Sequence, residues 1–259
     1  MFRHGKTPAR AGAMKLALAS YVDHSKLPPI PANFGHDDLI GANDWGMLGN
    51  DKWGCCVWAG GCHEHMLWNR VSQHQVTFTE ANVLSAYSAV TGFDPSKTDS
   101  AGNNPTDRGT DMVLAAEYRR TNGLVDASGQ THRIEAYLAL DPGSLDDLWA
   151  ATYLFGAVGI GIDMPETAET QFDAGQEWVY VHGAQSIGGH YVPLVGRKDG
   201  VLHVLTYGRT QPTSLKFLQK YCDEAIAYLS KDALVNNKSP EGFDLDSLVA
   251  DLHSLHKAA

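Results

Sequence analysis

The sequence predicts an α+β fold in which a helical lobe is followed by an antiparallel sheet lobe, with a cleft between them. Apolar residues follow helical spacing in three segments of the first half, 56–73, 79–90 and 111–122. The last third changes to short apolar runs of strand length, at 191–196, 201–206 and 225–229. Helices and strands that are segregated along the chain in this way are typical of α+β proteins.

Local signals predict where the helices of the first half begin and end. Trp58 lies among the apolar positions of the first helix, which indicates that this helix is largely buried. Thr79 is a good N-cap for the second helix. Asn82 stands at the third helical position of a capping box, where Glu would be the stronger residue. Gly123 ends the third helix. The polar loop over 93–111 is expected to rim the cleft.

The second half predicts shorter elements joined by recognisable turns. Arg-Lys-Asp-Gly at 197–200 is a good hairpin turn between two strands. Ser144 is the expected N-cap of a helix over 144–155. The remaining predicted elements are strands over 132–140 and 157–162 and a short helix over 214–221.

Three parts of the chain differ in composition. Residues 1–43 contain four prolines and little periodicity, which predicts an extended N-terminal arm that contributes no chemistry. Residues 44–232 carry the helical and strand patterns and form the predicted domain. Residues 233–259 are expected to be a C-terminal extension with a helix over 244–256.

Composition excludes two classes of partner. The formal net charge is −10 and no long run of Lys or Arg occurs, so nucleic acid is not an expected partner. No stretch approaches the roughly 20 apolar residues that span a bilayer, and the N-terminus lacks the apolar core of a signal peptide. A cytoplasmic or virion-associated protein is therefore expected. The four cysteines give no disulfide framework, which predicts reduced thiols.

One cysteine and one histidine stand where thiol chemistry needs them. Cys56 follows Gly54 at the start of the first helix, and His190 follows two glycines at the start of a strand. The positive end of the helix dipole favours a thiolate, and a nearby imidazole can take the thiol proton. The pair predicts a nucleophile and a general base, with Cys55 as an alternative nucleophile if the helix begins one residue earlier.

The order of these features resembles the papain-like cysteine peptidase family over about 50–208. Asn50, Gly54, Cys56 and Trp58 stand in places similar to the family's oxyanion-hole amide, glycine, nucleophile and tryptophan. Three later segments are also similar, namely 107–123, 148–163 and 189–196, the last carrying the family's catalytic histidine. The chain also resembles uncharacterised papain-like proteins of phages and prophages.

The resemblance implies a cysteine hydrolase without a cofactor that cleaves a peptide bond in a peptide or protein substrate. Asn50 would then stabilise the oxyanion, although the family has Gln there. Leu205 occupies the place of the family's third residue, an Asn that orients the histidine. Thr206 or His203 is expected to substitute, or the histidine works without a third residue.

Two other functions remain open at this point. One is acyl transfer, as in a transglutaminase-like cross-linker, which uses the same nucleophile and needs an amine acceptor. A papain-like protein without activity, such as a virion component that binds other virion proteins, would also explain the missing Asn. A second cluster of thiols and imidazoles could suggest a zinc site; it comprises Cys55, Cys56, Cys62, His63 and His65. On a helix, these residues lie either on different faces or two turns apart, too far for one metal ion, so no metal site is expected there. Most other histidines, including His132, are expected to be structural or at the surface.

Overall fold

The computed structural model describes residues 2–10, 12–14, 17–18, 29–234, 238–239 and 241. Three helices of the first half form one lobe, and a seven-stranded antiparallel sheet with three further helices forms the other. This arrangement confirms the predicted α+β class. The helix predicted over 244–256 lies outside the described residues. No helix in the described part of the chain combines the length and apolar character needed to cross a membrane.

The helical lobe matches its sequence signals closely. It comprises α1 (Cys56–Val71), α2 (Glu80–Thr91) and α3 (Met112–Thr121). Thr79 caps α2, and Asn82 completes the capping box by accepting a hydrogen bond from the Thr79 backbone amide. Asp111 caps α3 through its side chain. These caps satisfy helix N–H groups that have no partner within the helix, so they fix where each helix starts.

The sheet has the strand order β4-β9-β5-β6-β7-β8, and the short β1 pairs with β6. Its long central strand β6 (Ser186–Lys198) runs further than the predicted 191–196 and carries His190. The remaining strands are β1 (Phe34–Gly35), β4 (Ala136–Leu140), β5 (Val158–Pro165), β7 (Val201–Thr206), β8 (Arg209–Thr213) and β9 (Cys222–Leu229). A separate two-stranded hairpin is formed by β2 (Leu124–Val125) and β3 (Thr131–His132).

Both faces of the sheet are buried. In β9, Ala225 and Ala227 face the core beneath α4 (Leu145–Phe155), whereas Ile226 and Tyr228 face the core shared with α1 to α3. This follows from the two-residue period of a strand. The sheet lobe also contains α5 (Glu166–Asp173) and α6 (Leu215–Tyr221). The sequence did not predict α5 or β8, because neither has an apolar pattern.

A buried ion pair inside the helical lobe also contacts the sheet. Arg119 of α3 lies 2.6 Å from Glu64 of α1, and both side chains are almost completely shielded from solvent. Tyr191 of β6 donates a 2.5 Å hydrogen bond to the other carboxylate oxygen of Glu64. The Arg119 guanidinium also lies 4.4 Å from the ring centre of Tyr228 in β9. Polar contacts between α1, α3 and the sheet therefore fix the position of α1 against β6.

Candidate active site

Cys56 is the first residue of α1 and is 1 % exposed. The turn before it is fixed by Gly54, whose backbone N–H donates to both carboxylate oxygens of Asp107 at 3.0 and 3.1 Å. Backbone groups of Tyr191, Gly5 and Val57 lie near the Cys56 thiol and lower its pKa, which opposes the effect of burial. Since Tyr191 follows His190 directly, the structure brings the thiol to the strand segment that carries the histidine.

Cys55 occupies a different environment. It is the N-cap residue of α1, and its thiol points to the carbonyl oxygen of Leu48 at 3.8 Å. Burial raises the pKa of this thiol well above its ordinary value. The hydrogen bond of the Cys55 thiol is therefore to the preceding loop rather than to β6.

His190 is completely buried and is held by its neighbours in the sheet. Its Nε2 atom forms a 2.8 Å hydrogen bond with Oγ1 of Thr206 in β7. The ring of Tyr207 stacks on the imidazole with 4.8 Å between ring centres and an angle of 14°. The Nδ1 atom has no hydrogen-bond partner among the described residues. Thr206 thus fixes one ring nitrogen and leaves the other available for chemistry.

The alternative partner for the histidine lies elsewhere. His203 forms a 2.7 Å hydrogen bond through Nδ1 with Asp37, on the opposite face of β7 from Thr206. Leu205 is buried in the core shared with α1 to α3. Of the residues that the sequence offered as substitutes for the missing Asn, the structure brings Thr206 to His190.

Asn50 lies in the loop before α1 and is 4 % exposed. Its backbone N–H donates to the carbonyl oxygen of Met47 at 3.0 Å. Its side-chain Oδ1 is buried without a hydrogen-bond partner among the described residues. Leu48 and Gly49 both adopt positive φ in the loop that carries Asn50.

The groove between the lobes is occupied by the protein's own N-terminal residues, which we call the cleft segment (residues 2–10). The Lys6 amide donates to the Gly189 carbonyl of β6 at 2.9 Å. On the helical lobe, the Thr110 amide donates to the Gly5 carbonyl at 2.6 Å, and the Thr7 amide donates to the Thr110 carbonyl at 3.0 Å. The cleft segment is therefore an extended peptide that is hydrogen-bonded to both walls.

Glycines permit this close approach over the thiol. A Cβ added to Gly5 would lie 1.8 Å from the carbonyl oxygen of Gly54, and one added to Gly109 would lie 2.2 Å from the Gly5 carbonyl oxygen. Aromatic contacts hold the start of the segment, because Phe2 stacks on Tyr207 with 3.9 Å between ring centres. The segment thus covers Cys56 and His190 and accounts for their burial.

Lys6 enters an acidic pocket in the sheet lobe. Its Nζ atom lies 2.8 Å from Asp223 and 3.8 Å from Glu224, both in β9, and its side chain is fully buried. A Cβ at Gly161 of β5 would lie 2.2 Å from Cε of Lys6, so the absence of a side chain there makes room for the lysine stem. The pocket selects a long cationic side chain by both space and charge.

Burial by the cleft segment keeps the thiol and imidazole neutral. Burial raises the pKa of Cys56, and this outweighs the opposing effect of the three backbone groups and of Lys6. Burial, together with the neighbouring His4, lowers the pKa of His190 well below its ordinary value. Both shifts favour the uncharged form, so the pair is not poised as a thiolate and an imidazolium while the segment is in place.

Sequence reasoning missed the cleft segment and the acidic pocket. A glycine between His4 and Lys6 is a weak signal, and the backbone hydrogen-bond partners of the segment, Thr110 and Gly189, lie more than a hundred residues away. Among the described residues, one group of three side chains could hold a metal ion, and it lies outside this groove: His65, His132 and Asp232. Of the thiols and imidazoles that the sequence offered for zinc, it includes His65. His63 instead contacts the carbonyl oxygens of Trp45 and Gly46.

No family model matches the chain, and no curated protein sequence matches it significantly. Solved structures do match. Xylellain, a cysteine protease from Xylella fastidiosa, is 10 % identical with a TM-score of 0.66, covering 88 % of this chain and 96 % of its own. Procathepsin B S9 from Trypanosoma congolense is 11 % identical with a TM-score of 0.58, covering 88 % and 87 %. Digestive procathepsin L 3 from Tenebrio molitor is 16 % identical with a TM-score of 0.54, covering 85 % and 75 %.

Proposed function

From the papain-like fold that this chain adopts, we propose that it is a cysteine peptidase whose cleft segment must leave before a substrate enters. Cys56 is the nucleophile, and His190 is the general base and then the general acid. Asn50 and the Cys56 backbone amide stabilise the oxyanion. Thr206 is a positioning residue that orients the imidazole through Nε2.

The proposed reaction has two steps. His190 Nδ1 takes the thiol proton while the sulfur attacks the peptide carbonyl carbon, and the negative charge develops on the carbonyl oxygen. The carbon–nitrogen bond then breaks, the amine takes the proton from His190, and a thioester remains on Cys56. A water molecule gives a proton to His190 and attacks the thioester, which releases the acid and restores the thiol.

The observation that carries this proposal is the extended peptide already lying across Cys56. It is held by backbone hydrogen bonds to Gly189 and Thr110. Such bonds do not depend on the side chains of the peptide, so they would hold any extended peptide. The fixed Nε2 of His190 and the unpartnered Nδ1 add the arrangement that a general base needs. The acidic pocket around Lys6 supports peptides with a basic side chain at that position.

A second candidate is a papain-like protein that binds partners without cleaving them. Leu205 in the place of the family's Asn and the complete burial of His190 favour this alternative. The two candidates differ in how Cys56 behaves once the groove is open, because a binding protein needs no reactive thiol.

The test uses the full chain with Lys6→Glu, which should release the cleft segment. Fluorogenic peptides carrying Arg, Leu or Glu at varied positions are incubated with this variant and with the same variant lacking the thiol, Cys56→Ala. Hydrolysis that depends on Cys56 and favours Arg supports the peptidase. If Cys56 becomes accessible but its alkylation at about pH 6 is as slow as that of a free thiol, and His190→Ala changes nothing, the binding protein is supported instead.

A further inference from the structure

Two histidines from separate parts of the chain meet at one carboxylate, away from the groove. His65 belongs to α1, His132 to β3, and Asp232 to the short 3-10 helix after β9. The Nδ1 atoms of His65 and His132 lie 2.8 and 2.9 Å from the same oxygen, Oδ2 of Asp232. One donor atom from each residue lies within 4.8 Å of the other two.

We propose that His65, His132 and Asp232 form a zinc site that fastens α1, the β2–β3 hairpin and the end of β9 to one another. Two imidazoles and one carboxylate are a ligand set that suits Zn²⁺. In tetrahedral zinc sites with bonds of about 2.0 to 2.1 Å, donor atoms stand about 3.3 Å apart. The two nitrogens lie 2.8 and 2.9 Å from Oδ2 of Asp232, about 0.4 to 0.5 Å closer than this value, and all three donor atoms lie within 4.8 Å of one another.

The second nitrogen of His132 supports a metal at the first. Its Nε2 atom lies 3.2 Å from a carboxylate oxygen of Asp126. Histidines that bind zinc commonly donate their other ring N–H to a carboxylate, which fixes the tautomer and directs the free lone pair at the metal. With the proton on Nε2, the Nδ1 lone pair faces the Asp232 carboxylate, and a cation between them removes the repulsion.

Charge and access also suit a divalent ion. Asp126 and Asp232 supply two negative charges to a site whose histidines are largely buried, and Zn²⁺ neutralises both. The Asp232 side chain is 23 % exposed, so the cluster can be reached from solvent. A cavity of about 250 Å³ adjoins Asp232 and is also lined by Asn69 and His74. A fourth ligand has room on this side.

The test measures zinc binding rather than peptidase activity, so it is independent of the proposed function. Full-length protein is stripped with a chelator and titrated with Zn²⁺ against a chromophoric competitor, with metal content measured by mass spectrometry. We expect one zinc ion per chain. Asp126→Asn should weaken binding by about 10- to 100-fold, and His132→Gln or Asp232→Asn by at least as much. His203→Gln, which also removes a histidine paired with a buried aspartate, should leave the affinity unchanged.

Two further measurements keep the proposal falsifiable if a ligand variant fails to fold. Co²⁺ bound to the wild type should show ligand-field absorption without the intense charge-transfer band of a thiolate ligand, and Cys56→Ser should leave that spectrum unchanged. The melting temperature of the wild type should rise with zinc concentration. Binding weaker than about 100 μM, a thiolate band, or zinc binding that survives both His132→Gln and Asp232→Asn would overturn the proposal.

Discussion

The contact that closes the groove can be broken by one substitution, Lys6→Glu. In the wild type, the buried ammonium lies 2.8 Å from Asp223 and 3.8 Å from Glu224. A glutamate at position 6 would place a third negative charge beside these two carboxylates. The closed state is therefore destabilised, whereas the open state, in which residue 6 is solvated, is not.

The size of the effect follows from the burial of the pair. Removing one partner of a buried ion pair costs about 3 to 5 kcal/mol. The Asp223 side chain is 38 % exposed, so water compensates part of this loss and the lower end applies. About 3 kcal/mol corresponds to an increase of about 100-fold in the ratio of open to closed molecules.

The assay is the rate of iodoacetamide alkylation at Cys56, read by peptide mass spectrometry. While the closed state predominates, this rate is proportional to the open fraction, so Lys6→Glu should raise it about 100-fold. Lys6→Arg keeps the charge and should alkylate nearly as slowly as the wild type. Arg10→Ala removes an exposed ion pair from the same segment and should have a small effect.

Two results would refute this reasoning. The first is a folded Lys6→Glu protein whose Cys56 reacts at the wild-type rate, which would mean that the lysine contact does not hold the segment. The second is rapid alkylation of Cys56 in the wild type, which would mean that the segment does not shield the thiol in solution.

Three other predictions test neighbouring parts of the argument. Gly5→Ala should also accelerate alkylation of the thiol, because the new Cβ would collide with the Gly54 backbone; unchanged kinetics would contradict the close packing. Burial lowers the pKa of both His190 and His4 in the closed state, so the open state gains these protons first and closure weakens as the pH falls below about 6.5, by up to about tenfold per pH unit for each histidine. Hydrogen exchange of the segment amides should show this, and His190→Gln should reduce the slope while the contribution of His4 remains. Arg119→Met should lower the free energy of unfolding by about 3 to 5 kcal/mol in urea titrations, because it removes the cationic partner of the buried Glu64. Arg120→Ala, at a partly exposed ion pair of the same helix, should lower it by less than about 1 kcal/mol.

Elements with local signals were predictable from the sequence. The capping box of Thr79 and Asn82 involves only four consecutive residues, so the local sequence was enough to predict the start of α2 correctly. Asp199 and Gly200 both adopt positive φ, as the tight turn between β6 and β7 requires. In contrast, α5 begins directly after Pro165 and has few apolar residues, so its periodicity gave no signal.

The site was only partly predictable, because its partners are distant in sequence. The resemblance predicted Cys56 and His190 as the catalytic pair, and for the missing Asn it left open Thr206, His203 or no third residue. Thr206 and His203 are three residues apart on one strand and therefore face opposite sides of the sheet, so only one can meet the histidine. Likewise, the sequence did not predict the contact between His132 and Asp232, since it crosses a hundred residues of chain.

The cleft segment belongs to the same polypeptide as the groove that it fills, and this covalent connection strengthens its competition with other peptides for the groove. A tethered segment acts at an effective concentration in the millimolar range, so a free peptide of equal intrinsic affinity at micromolar concentration is almost wholly excluded. A single cut in the chain after Arg10 would abolish that advantage without changing one contact. The severed peptide would then dissociate on dilution, and the closed fraction would depend on protein concentration.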